Sequence, residues 1–143
     1  MQLTPLIAVH MTAAIAAIAI GPVALWARRG HAAGLPGRQR PRLHRAAGYA
    51  WVTLMLATAI SAIFIRDFRL PNIAGYTPIH LLVPLVFGSL FFSFRFLQRG
   101  ELNAHRRVMV WLYVSACLVA GAFTLVPERY LGNLLWHQWL GLV

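Results

Sequence analysis

Four apolar runs, each long enough to cross a bilayer, govern what this chain can fold into. They occupy roughly 5–27 (PLIAVHMTAAIAAIAIGPVALWA), 45–65 (RAAGYAWVTLMLATAISAIFI), 78–97 (PIHLLVPLVFGSLFFSFRFL) and 106–126 (RRVMVWLYVSACLVAGAFTLV). A hydrocarbon core about 30 Å thick takes about 20 helical residues to span. Unpaired backbone groups are costly in lipid, so each run is expected to be helical. The connections are short and require antiparallel neighbours, so the expected fold is all-α: an integral membrane four-helix bundle forming a single transmembrane domain over 1–143.

Composition agrees. Of 143 residues, 59% are hydrophobic and 11% charged, far from soluble-domain usage. All 13 basic residues are arginine, against three acids, giving a net charge of +10. In a soluble chain such an excess would suggest nucleic acid. Here the arginines sit beside apolar runs, where they set topology and meet lipid headgroups, and no nucleic-acid partner is expected. The first connection holds Arg28, Arg29, Arg38, Arg40, Arg42 and Arg45 without an acid, and the third holds Arg99, Arg106 and Arg107 with Glu101. The second has Arg66 and Arg69 with Asp67. The positive-inside rule then places the first and third connections in the cytoplasm and both termini outside.

The N-terminus lacks the charged start of a cleavable signal and is expected to stay in the mature protein. Pro22 and Pro84 fall within runs and should interrupt local helical bonding. Cys117, the single cysteine, is expected to be a small buried hydrophobe. The Trp-rich tail 128–143 is too short to span easily and reads as an interfacial helix or a partner surface. His31 in the basic loop and His137 in the tail are expected to be solvated or interfacial.

The two halves repeat a pattern. VHM at 9–11 and IHL at 79–81 each open a helix ending in Arg-Gly, and His10 to Arg29 and His80 to Arg99 are both nineteen residues apart. Each helix is followed by a basic loop and an His-Arg pair, His44-Arg45 and His105-Arg106. The chain therefore reads as two repeated helical hairpins about an axis along the membrane normal.

This repeat sets four histidines at two depths, His10 with His80 in an outer layer and His44 with His105 in an inner one. Ionisable groups within a span usually face the bundle interior and mark function. Two histidines facing across a bundle suit axial ligation of haem iron. Ala13, Ala14, Ala17 and Gly21 share the face of His10 and would leave space for a macrocycle. Gly48, Trp51 and Met55 follow His44; Val83, Pro84 and Phe87 follow His80; Met109 and Leu112 follow His105. Arg45, Arg106 and Arg107 are placed to pair with haem propionates. Simpler readings stand beside this one. His44 and His105 could be interfacial polar residues with the arginines on lipid phosphate, the small residues could serve ordinary helix packing, and the tryptophans an aromatic belt.

An early intramembrane histidine, a loop ending in HRAAGY, a PIHLL helix and a NAHRRVM helix together resemble a bacterial family of four-helix membrane proteins of unknown function, domain of unknown function 2306. That resemblance covers nearly the whole chain and implies a multi-pass protein of the bacterial inner membrane. The two-layer histidine plan is also similar to dihaem transmembrane b-type cytochromes. That likeness implies two haem b groups, with His10, His80, His44 and His105 as iron ligands and electron transfer across the membrane to or from a quinone or redox protein. The chain lacks additional flanking spans and an evident substrate motif, so donor and acceptor are left open. Two other classes are open: a cofactor-free accessory subunit of a larger photosynthetic or respiratory complex, or of a homo-oligomer, and a quinone- or proton-handling site in which the histidines titrate. No Asp or Glu lies inside a span to relay protons.

Overall fold

The computed structural model describes residues 4–27, 41–66, 68, 73–125, 132, 134–139 and 141. Four helices among them are long and apolar enough to cross a membrane. Helix α1, Pro5–Trp26, starts on Thr4, whose Oγ1 accepts from the Ile7 amide at 3.3 Å. Pro5 occupies the first turn, where an amide hydrogen is dispensable. Helix α2, Pro41–Phe64, also opens on proline. Most of the first connection lies outside the described residues, with His31 and Arg28, Arg29, Arg38 and Arg40.

Ala74 and Gly75, with φ of 54° and 86°, form the tip of a tight turn that pairs Ile73 with Tyr76. Both central residues are left-handed, the geometry of a type I′ hairpin turn. Arg66 braces it, donating to the Ala74 carbonyl at 2.9 Å and lying 4.8 Å over the Tyr76 ring. A single 3-10 turn, Pro78–Leu81, then feeds helix α3, Leu82–Gln98. Pro84 is thus in the first turn of α3, where its missing amide costs no helical bond; the expected interruption does not occur.

Helix α3 ends on Gly100, at φ 75°. The Glu101 amide reaches the Phe96 carbonyl at 2.9 Å and the Gly100 amide reaches Leu97 at 3.1 Å, the two bonds of a Schellman cap. Helix α4, Leu102–Phe123, is regular over Leu102–Leu112, π-helical over Tyr113–Val119 and α-helical again over Ala120–Phe123. The tail is described only in part. The Trp136 indole donates to the Leu125 carbonyl at 2.8 Å and the Gly132 amide to Thr124 at 3.2 Å, so this part folds back on the end of α4. The side chain of His137 is outside the description.

Packing runs α1 on α2, α2 on α3, α3 on α4, and the π-helical segment of α4 back on α1, which closes the bundle. Ala13, Ala17 and Gly21, spaced by four, make one small-residue stripe on α1. Against it pack Trp51, Met55 and Ala59 of α2, with Tyr113 and Cys117 of α4; Val86 and Leu90 of α3 and Leu112 of α4 complete the core. Small residues let helix backbones approach closely, the main route to packing between helices in lipid. Large apolar side chains such as Ile15, Phe91, Phe92, Trp111 and Leu118 point outward, as a lipid-facing surface requires.

Candidate functional site

The hydrogen bonds keep the histidines in two layers. His10 and His80 both reach the C-terminal end of α2, while His44 and His105 lie at the opposite, arginine-rich end. Each of the four ties its own helix to the helix beside it through a main-chain carbonyl.

His10 Nδ1 lies 3.0 Å from the Thr58 carbonyl and 3.0 Å from Ser61 Oγ. A carbonyl only accepts, so Nδ1 carries the proton. The Ser61 hydroxyl points its own hydrogen at the Ala57 carbonyl, 2.7 Å away, leaving its oxygen to share the His10 proton. His44 Nδ1 donates to Ala24 at 2.9 Å, a carbonyl in the last turn of α1 that has no helical donor of its own among the described residues. His105 Nδ1 meets Ser93 twice, 3.0 Å from its carbonyl and 2.8 Å from its fully buried hydroxyl. In a neutral imidazole these bonds leave Nε2 with a lone pair. Among the described residues, Nε2 of His10, His44 and His105 has no hydrogen-bond partner.

His80 is the exception. Its Nε2 donates to the Ile65 carbonyl at 2.8 Å, and its Nδ1 accepts from the Thr77 amide at 3.1 Å in a capping box that starts α3. Both ring nitrogens are committed, and the ring stands edge-on to Tyr76. As a structural unit His80 joins the end of α2 to the start of α3.

The stripe expected to make room for a macrocycle is filled by protein. A Cβ at Gly21 would collide with the Tyr113 ring and lie 3.1 Å from Trp51 Nε1. The cause is Pro22. It has no amide hydrogen for the carbonyl of Ile18, four residues earlier, and Tyr113 Oη supplies the missing donor at 3.1 Å. Gly21 lets the ring come that close. The Trp51 indole N–H beside it is buried with no hydrogen-bond partner among the described residues, and Cys117 Sγ lies 3.6 Å from Met55 Sδ. The expected neighbours of the histidines divide accordingly. Trp51, Met55 and Leu112 are core residues, whereas Pro84 and Phe87, after His80, are exposed.

Arg45, Arg106 and Arg107 are exposed and form no hydrogen bond or ion pair with another described residue. Arg106 and Arg107 line a shallow groove with Asn103, Val110 and Trp111, while His105, immediately before them in sequence, turns to α3. The adjacency of His105 and Arg106 therefore directs the two side chains to different surroundings. Among the described residues no three His, Cys, Asp or Glu side chains cluster as a metal site. A two-ligand haem needs only a pair, and the two layers differ in fit. The inner His44 and His105 keep uncommitted Nε2 atoms on imidazoles whose Nδ1 donates to a main-chain carbonyl, the contact that commonly orients a metal-bound histidine. The outer layer fits poorly, because His80 would have to abandon both the Ile65 carbonyl and the helix cap.

Sequence patterning alone does not single out Thr58, Ser61, Ser93 and Tyr113. Ser61 and Ser93 could have been found as polar residues at histidine depth. Tyr113 could have been found by asking what meets the carbonyl that Pro22 leaves bare.

Residues 7–127 match the family model described as a predicted membrane protein, DUF2306. No curated protein and no solved structure matches the chain.

Proposed function

The chain belongs to the DUF2306 family of predicted membrane proteins, and on that premise we propose that it is a membrane electron carrier holding one b-type haem at its arginine-rich end, between His44 and His105. One observation carries the reading: both imidazoles sit in the same layer on different helices, anchored through Nδ1 to main-chain carbonyls with Nε2 uncommitted. When bound, the haem supplies reversible one-electron exchange at its iron. The chain's own residues do the rest. Ala24 and Ser93 fix tautomer and ring orientation, Trp51 and Tyr113 keep the middle of the bundle dry, and Arg45 brings a cation to the same end. We place that end in the cytoplasm and both termini outside, on the arginine asymmetry, in a bacterial inner membrane. A quinone or a redox protein is the electron partner. The outer layer works structurally, with His10 and His80 as helix ties, so a second haem is not part of the proposal.

Visible spectra of the purified protein, expressed with added haem, provide the test. The expected result is a reduced-minus-oxidised b-type band at one haem per chain, lost in His44→Ala and His105→Ala and kept in His80→Asn. Two haems per chain would restore the outer layer as a site. No haem under any expression condition overturns the proposal in favour of a cofactor-free accessory subunit, the reading that the protein-filled stripe at Gly21, Trp51 and Tyr113 favours.

A further inference from the structure

The groove on α4 lies on the side of that helix turned away from the histidines. Asn103, Arg106, Arg107, Val110 and Trp111 line it, at the i, i+3, i+4, i+7 and i+8 positions of one helical face. The groove is open and encloses about 360 Å³. Arg106 and Arg107 have no anionic partner among the described residues, although the chain carries a net charge of +10. We propose that this groove is a binding site for one anionic phospholipid of the facing leaflet.

The chemistry is graded along the helix. At about 1.5 Å per residue, Trp111 lies roughly 6 Å deeper than Arg107 and Asn103 roughly 6 Å shallower. Two guanidiniums can take a phosphate bidentately, and the Asn103 amide can donate to a headgroup hydroxyl. Val110 meets the start of the acyl chains, and Trp111, 67% exposed, places its ring at the glycerol and ester level where indoles settle. The other four exposed arginines described at this end, Arg42, Arg45, Arg95 and Arg99, do not line the groove. The site thus differs from a general positive surface in pairing two arginines with an amide and an indole on one face.

Native mass spectrometry of the full chain in detergent tests this, with phosphatidylglycerol, phosphatidylcholine or inorganic phosphate added. One phosphatidylglycerol is expected to be retained in preference to phosphatidylcholine, and inorganic phosphate should not displace it. An arginine near an anionic surface strengthens binding about fivefold, so Arg106→Gln with Arg107→Gln should weaken retention roughly 25-fold. The charge-matched pair Arg42→Gln with Arg95→Gln should change it less than about threefold. Trp111→Leu keeps the charge and should weaken retention several-fold. Helical circular dichroism confirms that each variant folds, as expected for exposed positions. Equal retention of both lipids, equal losses in the two arginine pairs, or displacement by inorganic phosphate would overturn the proposal.

Discussion

Tyr113→Phe isolates the repair of the carbonyl that Pro22 strips of its donor. The substitution removes one hydroxyl from a side chain that is 9% exposed and leaves the Ile18 carbonyl without its 3.1 Å partner. A lost neutral hydrogen bond costs about 1 kcal/mol, and an acceptor left bare in an apolar interior raises this toward 2 kcal/mol. Measured interhelical bonds in membranes average about 0.6 kcal/mol with a maximum near 1.7. A loss of about 1–1.5 kcal/mol is therefore expected, read by equilibrium unfolding in mixed micelles followed by circular dichroism. Pro22→Ala supplies the control, because an alanine amide can bond Ile18 within the helix. In that background Tyr113→Phe should cost less than about 0.5 kcal/mol, a coupling of about 1 kcal/mol in the double-mutant cycle. If Tyr113→Phe costs the same with proline or alanine at 22, the hydroxyl is not compensating for the missing amide and the reasoning fails.

Other substitutions probe the same contacts. Gly21→Ala drives a methyl into the Tyr113 ring and should destabilise by about 1–3 kcal/mol in the same unfolding assay, with relief in Gly21→Ala combined with Tyr113→Ala. His80→Ala should cost about 1–2 kcal/mol and speed amide exchange over 77–82, because it removes both the capping box and the Ile65 tie; asparagine at 80, which can still accept from an amide, should recover part of the protection. Gly75→Ala sets a side chain at φ 86° against Phe68, and should cost about 1–2 kcal/mol or remodel the turn, seen as faster exchange at 73–76. Ser93→Ala removes the hydroxyl but keeps the carbonyl under His105, so the bundle should lose less than about 1 kcal/mol.

The spans were legible because apolar length is a physical demand of the bilayer, but hydropathy measures the hydrocarbon and not the helix. Helical bonding in α2 starts at Pro41, and in α4 at Leu102, four residues before each apolar run. Headgroup-level residues such as Arg42 and Asn103 join a helix without adding hydrophobicity. The depth of the four histidines was also legible, since it follows from their distance to the run ends. Their ring bonding was not, because it depends on which carbonyl of the adjoining helix comes within reach of the ring, and that is a property of the packed pair. The repeat illustrates the gap. His10 sits within regular helix and reaches sideways to Thr58, while its counterpart His80 caps a 3-10 turn. His44 and His105 remain equivalent, each donating back to the preceding helix. The stripe Ala13, Ala17, Gly21 was legible as small, but its occupant came from α4, ninety-five residues from Ile18 at the contact made by Tyr113.

The π-helical stretch Tyr113–Val119 has a consequence for the phase of everything that follows it. Bonds to the fifth residue accommodate a residue that a regular helix would not hold, so the faces before and after the stretch are offset. Gly121 meets Ile18, with a Cβ there only 3.3 Å from the Ile18 side chain, and the Thr124 and Leu125 carbonyls face the returning tail. Were the same seven residues wound as a plain helix, the segment beyond would turn by about 100°. Ile18 would then lose the glycine that admits it, and the tail would lose its two carbonyls. The π-helical winding of Tyr113–Val119 is what keeps the far end of α4 in register with α1.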